Sequence, residues 1–167
     1  MLKQKDFGIV AALRKNSRSS LTRLSKTTGV PISTIFDRLK GYRKLVIKKF
    51  TCILNLGLLG YSSHAFFVYT ICKSKRSRLR AYLLEHPNVN SVYRINHKYD
   101  FLIEVVFKDI LAQESFVDRT EDLFSVRPKH MFYVVESIAK EKFMTDMRLF
   151  KDRRRISQEV NKRIDAF

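Results

Sequence analysis

The chain has 167 residues, of which 45% are hydrophobic, and a formal net charge of +17. An apolar share of this size is typical of a folded protein and excludes a disordered one. No apolar run approaches the roughly 20 residues that span a bilayer, and the first residues lack the apolar core of a secretory signal. We therefore expect a cytoplasmic protein that has no membrane among its partners.

The positive charge is concentrated in the first third of the chain. Residues 1–57 hold 13 of the 33 lysines and arginines but only 2 of the 16 acidic residues. A basic excess of this size indicates a polyanionic partner, either nucleic acid or an acidic membrane surface. We expect nucleic acid, because no predicted helix combines a basic face with exposed large apolar residues as membrane-surface binding requires. The alternative is a solvated basic surface that binds nothing specific. The uneven distribution of charge along the chain favours the first interpretation, in which the first third faces a polyanion.

Cysteine and histidine usage argues against a metal or disulfide framework. Cys52 and Cys72 lie in separate apolar stretches, and the four histidines are scattered. A zinc site or a disulfide-stapled fold would need tighter clustering. We expect both cysteines to be small buried apolar residues, and we predict no metal and no cofactor.

The first third is predicted to form three helices. Residues 7–15 place apolar side chains at helical spacing, and the polar break at 16–20 can cap a second helix. Gly29 can adopt the left-handed conformation that ends this helix, and Pro31, which has no N–H, suits the first turn of a third. The third helix carries apolar residues at i, i+3, i+4 and i+7, namely Ile32, Ile35, Phe36 and Leu39.

A short helix, a glycine turn and a second amphipathic helix form the pattern of a helix-turn-helix. Its second helix enters a DNA major groove about 12 Å wide, so its leading exposed residues must be short. Ser33 and Thr34 meet this requirement and are predicted to read bases, together with Asp37. The acid would accept from a cytosine amino group or pair with a neighbouring arginine, and the sequence leaves both open. Phosphate contacts are predicted for Arg18, Arg38, Lys40, Arg43 and Lys44. The alternative for the whole segment is a helical protein-interaction module.

A β-branched run follows the third helix. Residues 45–50, Leu-Val-Ile-Lys-Lys-Phe, are predicted to be the strand of a wing, with Lys48 and Lys49 over the DNA backbone of the next groove. Residues 1–50 are thus predicted to be a winged helix-turn-helix domain, and residues 51–62 a connecting strand or hinge.

The middle of the chain is predicted to be a βαββαβ domain over residues 63–139. The predicted strands and helices alternate in the ferredoxin-like order: strand 64–71, helix 75–86, strand 89–96, strand 100–107, helix 110–124 and strand 130–138. Its helices can cover only one face of the antiparallel sheet, yet the strands are apolar on both faces. We therefore predict that a second copy covers the other face across a two-fold axis. The alternative is that the C-terminal segment covers it.

The order of parts resembles the Lrp/AsnC (feast/famine) regulators across about residues 2–138. The matching residues, in chain order, are Asp6, Ile9, Val10, Leu13, Asn16, Arg18, Leu24, Gly29, Ser33, Thr34, Arg38, Leu39, Val46, Ile47, Leu59, Gly60, Tyr99 and Asp100. The resemblance implies an α+β chain with an N-terminal winged helix-turn-helix and a βαββαβ ferredoxin-like domain of the ACT or RAM type. It also implies a sequence-specific regulator of transcription that binds double-stranded DNA, associates with the nucleoid and forms homodimers, tetramers or octamers.

The same resemblance places a small-molecule effector near His97, Tyr99 and Asp100. The family usually has glycine in the turn before this Tyr-Asp pair, and this chain has His97. An imidazole there is expected to crowd the turn and to resist a positive φ, which argues against the family's usual sensing of amino acids. Lys3 and Pro31 are two further departures, because the family usually has Asp and Ser at these positions.

Residues 140–167 extend beyond the resemblance and are predicted to form a basic helical extension of one or two amphipathic helices. This extension would add an oligomer contact, touch DNA a second time, or pack on its own domain.

Two other functions share this architecture. An architectural DNA-packaging protein would have the same fold and charge but weak specificity. A siroheme-decarboxylase-like enzyme would carry an arginine-rich motif and a histidine near the inter-domain strand, and residues 48–55 contain neither. The chain also lacks paired carboxylates, a nucleophile motif and a phosphate-binding glycine loop. We therefore predict that the protein is not an enzyme.

Overall fold

Three helices form the N-terminal part of the protein in the computed structural model, which describes residues 4–146. They are α1 (Gln4–Lys15), α2 (Leu21–Thr28) and α3 (Ile32–Leu45). Ser20 caps α2, because its hydroxyl accepts a hydrogen bond from the backbone N–H of Arg23. Gly29 ends α2 at φ 68°, the left-handed conformation that the sequence predicted.

The three helices share one apolar core, but α3 presents a different face to it than we predicted. Ile35, Leu39 and Tyr42 pack inward at i, i+4 and i+7, whereas Ile32 and Phe36 are 45% and 49% exposed. The predicted apolar stripe of α3 was therefore right for Ile35 and Leu39 and wrong for Ile32 and Phe36. The core contains buried side chains from all three helices and the turn, namely Ile9, Val10, Leu13, Leu24, Val30, Ile35 and Tyr42.

The predicted wing strand is absent from the described residues. Helix α3 continues to Leu45, and residues 47–55 have no regular secondary structure. A β-branched run forms a strand only when a neighbouring strand takes up its N–H and C=O groups, and no described strand pairs with this segment. The prediction of a connecting strand at residues 51–62 was likewise wrong, because this segment contains a 3₁₀ turn at Gly57–Leu59 and no strand.

The following part of the chain folds as a four-stranded antiparallel sheet with two helices. Its strand order is β2-β3-β1-β4, the ferredoxin-like arrangement that the sequence predicted. The elements are β1 (Ser63–Tyr69), α4 (Lys73–Glu85), β2 (Val89–Arg94), β3 (Phe101–Phe107), α5 (Ile110–Phe124) and β4 (His130–Tyr133).

One face of this sheet forms the second core. Phe67 lies opposite Ile103 across β1 and β3, and both are fully buried with Leu79 and Leu83 of α4 and Val117 of α5. Because side chains alternate along a strand, the intervening residues of β1 and β3 lie on the opposite face. That face has no described helix over it.

The fourth strand is shorter than predicted. It pairs with β1 only from His130 to Tyr133, and the apolar residues Val135 and Ile138 beyond it are 97% and 90% exposed. The prediction of a strand to Ile138 rested on an apolar run, but the last described hydrogen bond from this run to β1 is the one that the Val134 N–H donates to the His64 carbonyl at 2.9 Å.

Contacts divide the described residues into two units, residues 4–53 with 139–146 and residues 54–138. In the first unit, the Arg14 guanidinium donates to the Glu141 carboxylate at 2.6 Å, to the Glu141 carbonyl at 3.0 Å and to the Phe143 carbonyl at 3.1 Å. Met144 packs against the helical core. Residues 139–146 are not helical, and the rest of the predicted helical extension lies outside the described residues.

Both cysteines are exposed, contrary to the sequence prediction. Cys52 lies in the irregular segment after α3, and Cys72 is the N-cap residue of α4. Neither position offers the apolar surroundings that a strand interior would have provided. Across residues 4–146, no helix is long and apolar enough to cross a membrane.

Candidate nucleic-acid interface

The first turns of α3 present the polar side chains that were predicted to read bases. Ser33 and Asp37 are exposed and Thr34 is half-buried, while Ile35 between them is fully buried. The buried isoleucine fixes the rotation of the helix, so that its polar residues face solvent. Pro31 precedes α3 and provides no side-chain cap. The first turn therefore carries short polar side chains and backbone N–H groups that no side chain caps.

Asp37 is paired only loosely. Its carboxylate lies 4.0 Å from the Lys40 ammonium, and its side chain is 75% exposed. The same ammonium lies 4.3 Å from the centre of the Phe36 ring. The partner is therefore a lysine and not a neighbouring arginine, and an exposed pair of this kind contributes at most about 1 kcal/mol. Asp37 stays accessible to an incoming base.

Arg38 differs from the other predicted phosphate contacts. Its guanidinium lies 2.8 Å from the Asp6 carboxylate, and the Tyr42 hydroxyl donates to the same carboxylate oxygen at 2.6 Å. Burial, and then the neighbouring Asp6, raise the pKa of Tyr42. Asp6 thus joins α1 to α3 and already neutralises Arg38. This geometry does not support the phosphate contact predicted for Arg38.

The remaining predicted phosphate contacts are exposed. Arg18, Arg43, Lys44, Lys48 and Lys49 have no carboxylate partner within residues 4–146. The Arg43 guanidinium lies 5.7 Å from the centre of the Phe50 ring, which restricts where it can reach. With Asp6 neutralised, these cations leave the first unit strongly positive at its surface.

Two further cations on α2 were missed from the sequence. Arg23 and Lys26 are exposed and have no ion-pair partner in the described part of the chain. In a helix-turn-helix the first helix crosses the DNA backbone, so basic residues on that helix are candidates for phosphate contacts. The signal was available in the sequence, because both residues lie off the apolar face set by Leu21 and Leu24.

The predicted effector residues lie in the second unit and are largely engaged there. The Asp100 carboxylate accepts the Ile71 N–H at 2.8 Å and pairs with Arg76, and the Tyr99 hydroxyl bonds to His130 Nε2 at 2.8 Å. His97 is exposed and adopts φ 59°. The expectation that an imidazole would resist a positive φ was therefore wrong. The turn forms with histidine as its left-handed residue.

Curated relatives are helix-turn-helix regulators. No family model matches the chain. The regulator FL11 of Pyrococcus furiosus is 31% identical over 132 residues, which cover 78% of this chain and 87% of the relative. LrpC of Bacillus subtilis is 23% identical over 120 residues, covering 71% of this chain and 83% of LrpC.

Solved structures share the fold over nearly their whole length. The structure of Bacillus subtilis LrpC matches with a TM-score of 0.76 at 20% identity, covering 84% of this chain and 99% of that one. A transcriptional regulator of Neisseria meningitidis, solved with L-Met, matches with a TM-score of 0.76 at 22% identity, covering 84% and 94%. Together with the identity to FL11, the helix-turn-helix and the ferredoxin-like sheet show that the chain belongs to the Lrp/AsnC family of DNA-binding transcription regulators.

Proposed function

We propose that this regulator binds double-stranded DNA as a two-fold dimer, with α3 of each copy in the major groove. The observation that carries the proposal is the surface around α3. Short polar side chains lie at its start, and the exposed cations around it, apart from Lys40 with Asp37 at 4.0 Å, have no acidic partner within the described residues. The one acid buried beneath them, Asp6, is held by Arg38 and Tyr42.

The contacts divide into two classes. Ser33, Thr34 and Asp37 read base edges, because they occupy the exposed start of α3. Phosphates are held by the exposed cations on α2, around α3 and in the segment after it. This second set contains Arg18, Arg23, Lys26, Lys40, Arg43, Lys44, Lys48 and Lys49. Lys48 and Lys49 act from an irregular segment instead of the strand of a wing.

The open face of the sheet is the proposed dimer surface. Phe66, Val68, Leu102 and Val106 line its middle, and Phe132 on the edge strand is 57% exposed. A second copy would cover this apolar face. Two copies related by a two-fold axis would place their α3 helices in successive major grooves, on half-sites ~34 Å apart.

We assign the chain no catalytic role, because residues 48–55 lack the arginine and histidine of a siroheme-decarboxylase-like enzyme. The neighbour from Neisseria meningitidis was solved with L-Met. An amino-acid effector at the corresponding turn of this chain would meet His97 first, since Tyr99 and Asp100 are engaged within the domain.

A selection of bound duplexes from a random pool, followed by titration of the selected duplex across salt concentrations, tests the proposal. We expect a palindromic consensus bound at least ~10³-fold more tightly than random DNA. Uniform and steeply salt-dependent binding without a consensus would instead support the architectural DNA-packaging function, which uses the same positive surface.

Two variants separate the contact classes in the same titration. Thr34→Ala should change which sequence is preferred, whereas replacement of both Lys48 and Lys49 by Ala should weaken binding to every sequence and reduce the salt slope by about 2. A uniform loss of affinity in Thr34→Ala would remove Thr34 from the base readers. An unchanged slope in the lysine variant would show that residues 48 and 49 do not touch phosphate.

A further inference from the structure

A cavity of about 680 Å³ opens between α4 and α5, at the end of the sheet where β1 begins. The residues of the second unit that matter for its chemistry are Tyr61, Tyr82, His86, Lys108, Phe116 and Arg119. Tyr99 and Asp100 precede β3, whereas Phe107 of the cavity is the last residue of β3 and Lys108 follows it. This cavity is therefore separate from the turn at His97, where the family resemblance placed an effector.

The cavity walls are aromatic. The His86 and Phe116 rings meet edge to face with their centres 4.7 Å apart, and Tyr82 stacks on Phe116 at 6.1 Å. Tyr82 and His86 are themselves 5.5 Å apart. A pocket with such walls favours a flat apolar or aromatic body, because rings gain from stacked and edge-to-face contacts.

Two hydrogen-bonding groups of these walls lack partners in the described part of the chain. The Tyr82 hydroxyl is buried and makes no hydrogen bond. The His86 Nδ1 atom accepts the Asn88 N–H at 3.2 Å, and burial, reinforced by Arg119, lowers the pKa of His86. The neutral ring therefore carries its proton on Nε2, which bonds to no other described residue. The Nε2–H of His86 is therefore a donor without a described partner, whereas the Tyr82 hydroxyl lies buried beneath the surface.

The cavity also has a positive rim. Lys108 and Arg119 are exposed lining residues, and neither forms an ion pair with any described residue. None of the described residues that line the cavity is acidic. A guanidinium with no competing carboxylate favours an anionic group, and above all a planar carboxylate that it can bind through two parallel hydrogen bonds.

We propose that this cavity binds a small aromatic carboxylate. The aromatic body packs against Tyr82, His86 and Phe116, and the carboxylate pairs with Arg119 at the rim, assisted by Lys108. The volume is in the range of sites that hold small molecules. The proposal concerns ligand binding by the second unit and does not depend on how the protein contacts DNA.

Calorimetric titration of the full chain with phenylacetate tests this site, with phenylacetamide as the uncharged counterpart. We expect phenylacetate to bind more tightly than phenylacetamide. Arg119→Gln should weaken phenylacetate binding roughly tenfold or more, because a hydrogen-bonded charge pair is lost. Arg80→Gln makes the same change of charge on the exposed side of α4 and should leave the affinity unchanged.

Ser115→Trp provides a steric test, because Ser115 is an exposed residue that lines the cavity. An indole at this position should abolish binding while leaving the unfolding midpoint close to that of the parent. In ¹H–¹⁵N correlation spectra, phenylacetate should shift the amides of Ala112, Ser115 and Arg119. Equal binding of acid and amide, equal losses in the two arginine variants, or an absence of shifts at α5 with millimolar phenylacetate would each overturn the proposal.

Discussion

Asp6 links the stability of the helix-turn-helix to its electrostatics. It is 8% exposed and belongs to the first turn of α1, and it holds Arg38 and Tyr42 from α3. A buried carboxylate is tolerated only when it is paired and hydrogen-bonded. The same pairing neutralises a negative charge beneath the surface for which we propose phosphate contacts. One residue thus fixes the position of α3 and preserves the positive field around it.

The two arginines of α3 should behave differently when their charge is removed. Arg38→Gln should lower the free energy of unfolding by about 2 kcal/mol, since it leaves a largely buried carboxylate with one partner fewer, and should leave the salt slope of DNA binding unchanged. Arg43→Gln is the matched variant, because Arg43 is exposed. It should leave stability nearly unchanged and reduce the salt slope by about 1. Urea unfolding and a salt titration measure both quantities, and the reverse pattern would return Arg38 to the phosphate contacts.

Glu104 forms a polar centre on the open face of the sheet, together with His64 and Ser91. Its carboxylate bonds to His64 at 2.9 Å, to Asn90 at 2.6 Å and to Ser91 at 2.8 Å. Burial alone would raise the pKa of Glu104, but the hydrogen bonds from Asn90, Ser91 and His64 outweigh it, and the pKa is lowered. The charged carboxylate is therefore the form that the fold stabilises.

This lowered pKa predicts how stability depends on pH. Because the folded state binds the proton less tightly than the unfolded state, the contribution is complete above pH 4.5, the ordinary pKa, and is lost as the pH falls through the lowered value. Glu104→Gln should reduce stability at neutral pH by roughly 1–2 kcal/mol and should flatten this acid limb. Urea unfolding between neutral and acidic pH measures the effect. If the free energy of unfolding falls equally steeply with decreasing pH in both proteins, the acid dependence comes from other carboxylates.

At the scale of elements, two glycines of the helix-turn-helix provide a matched pair. Gly29 has φ 68°, and Gly41 lies inside α3 with an ordinary φ. A Cβ would meet nothing within 4 Å at either position. Gly29→Ala should therefore destabilise the protein by about 1–2 kcal/mol through backbone strain alone, whereas Gly41→Ala should stabilise it by up to about 1 kcal/mol. Thermal unfolding of both variants tests the pair, and a loss of stability in Gly41→Ala would show that its position requires glycine.

Local signals predicted the elements, and missing partners explain the errors. The predicted end of α2 at Gly29 was right because a left-handed residue follows from covalent geometry. The strand predicted for residues 45–50 was wrong. The prediction rested on the β-propensity of Val46 and Ile47, and β-propensity does not show whether a neighbouring strand is present to pair with. The strand predicted for residues 130–138 was too long for the same reason, since β4 ends at Tyr133. The ion pair of Arg38 was not predicted, because its partner Asp6 lies 32 positions earlier and no local pattern shows this pairing.

At the scale of the whole molecule, charge and apolar surface are divided between the units. The first unit carries exposed cations around α3, and the second carries the apolar open face of its sheet. A single helix-turn-helix reads only one half-site, so its affinity and specificity depend on a second copy held at a fixed distance. In the proposed dimer, the sheet domain serves DNA recognition indirectly, by setting the distance between the two α3 helices.

This division predicts that one substitution far from DNA weakens DNA binding. Phe132 is 57% exposed on the open face, so Phe132→Glu should leave the monomer folded while placing a charge where a second copy packs. Sedimentation velocity should show monomers at concentrations where the parent is a dimer. Binding to a palindromic site should weaken by tenfold or more, while binding to an isolated half-site should stay the same.

Leu84→Glu is the matched control, because Leu84 is 58% exposed on α4 and lies away from this face. It should remain dimeric and bind the palindrome like the parent, since the open face is untouched. If Phe132→Glu also stays dimeric, the second copy packs elsewhere. If Phe132→Glu becomes monomeric but keeps its affinity for the palindromic site, each copy binds its half-site independently. The sheet domain then does not set the spacing of the α3 helices.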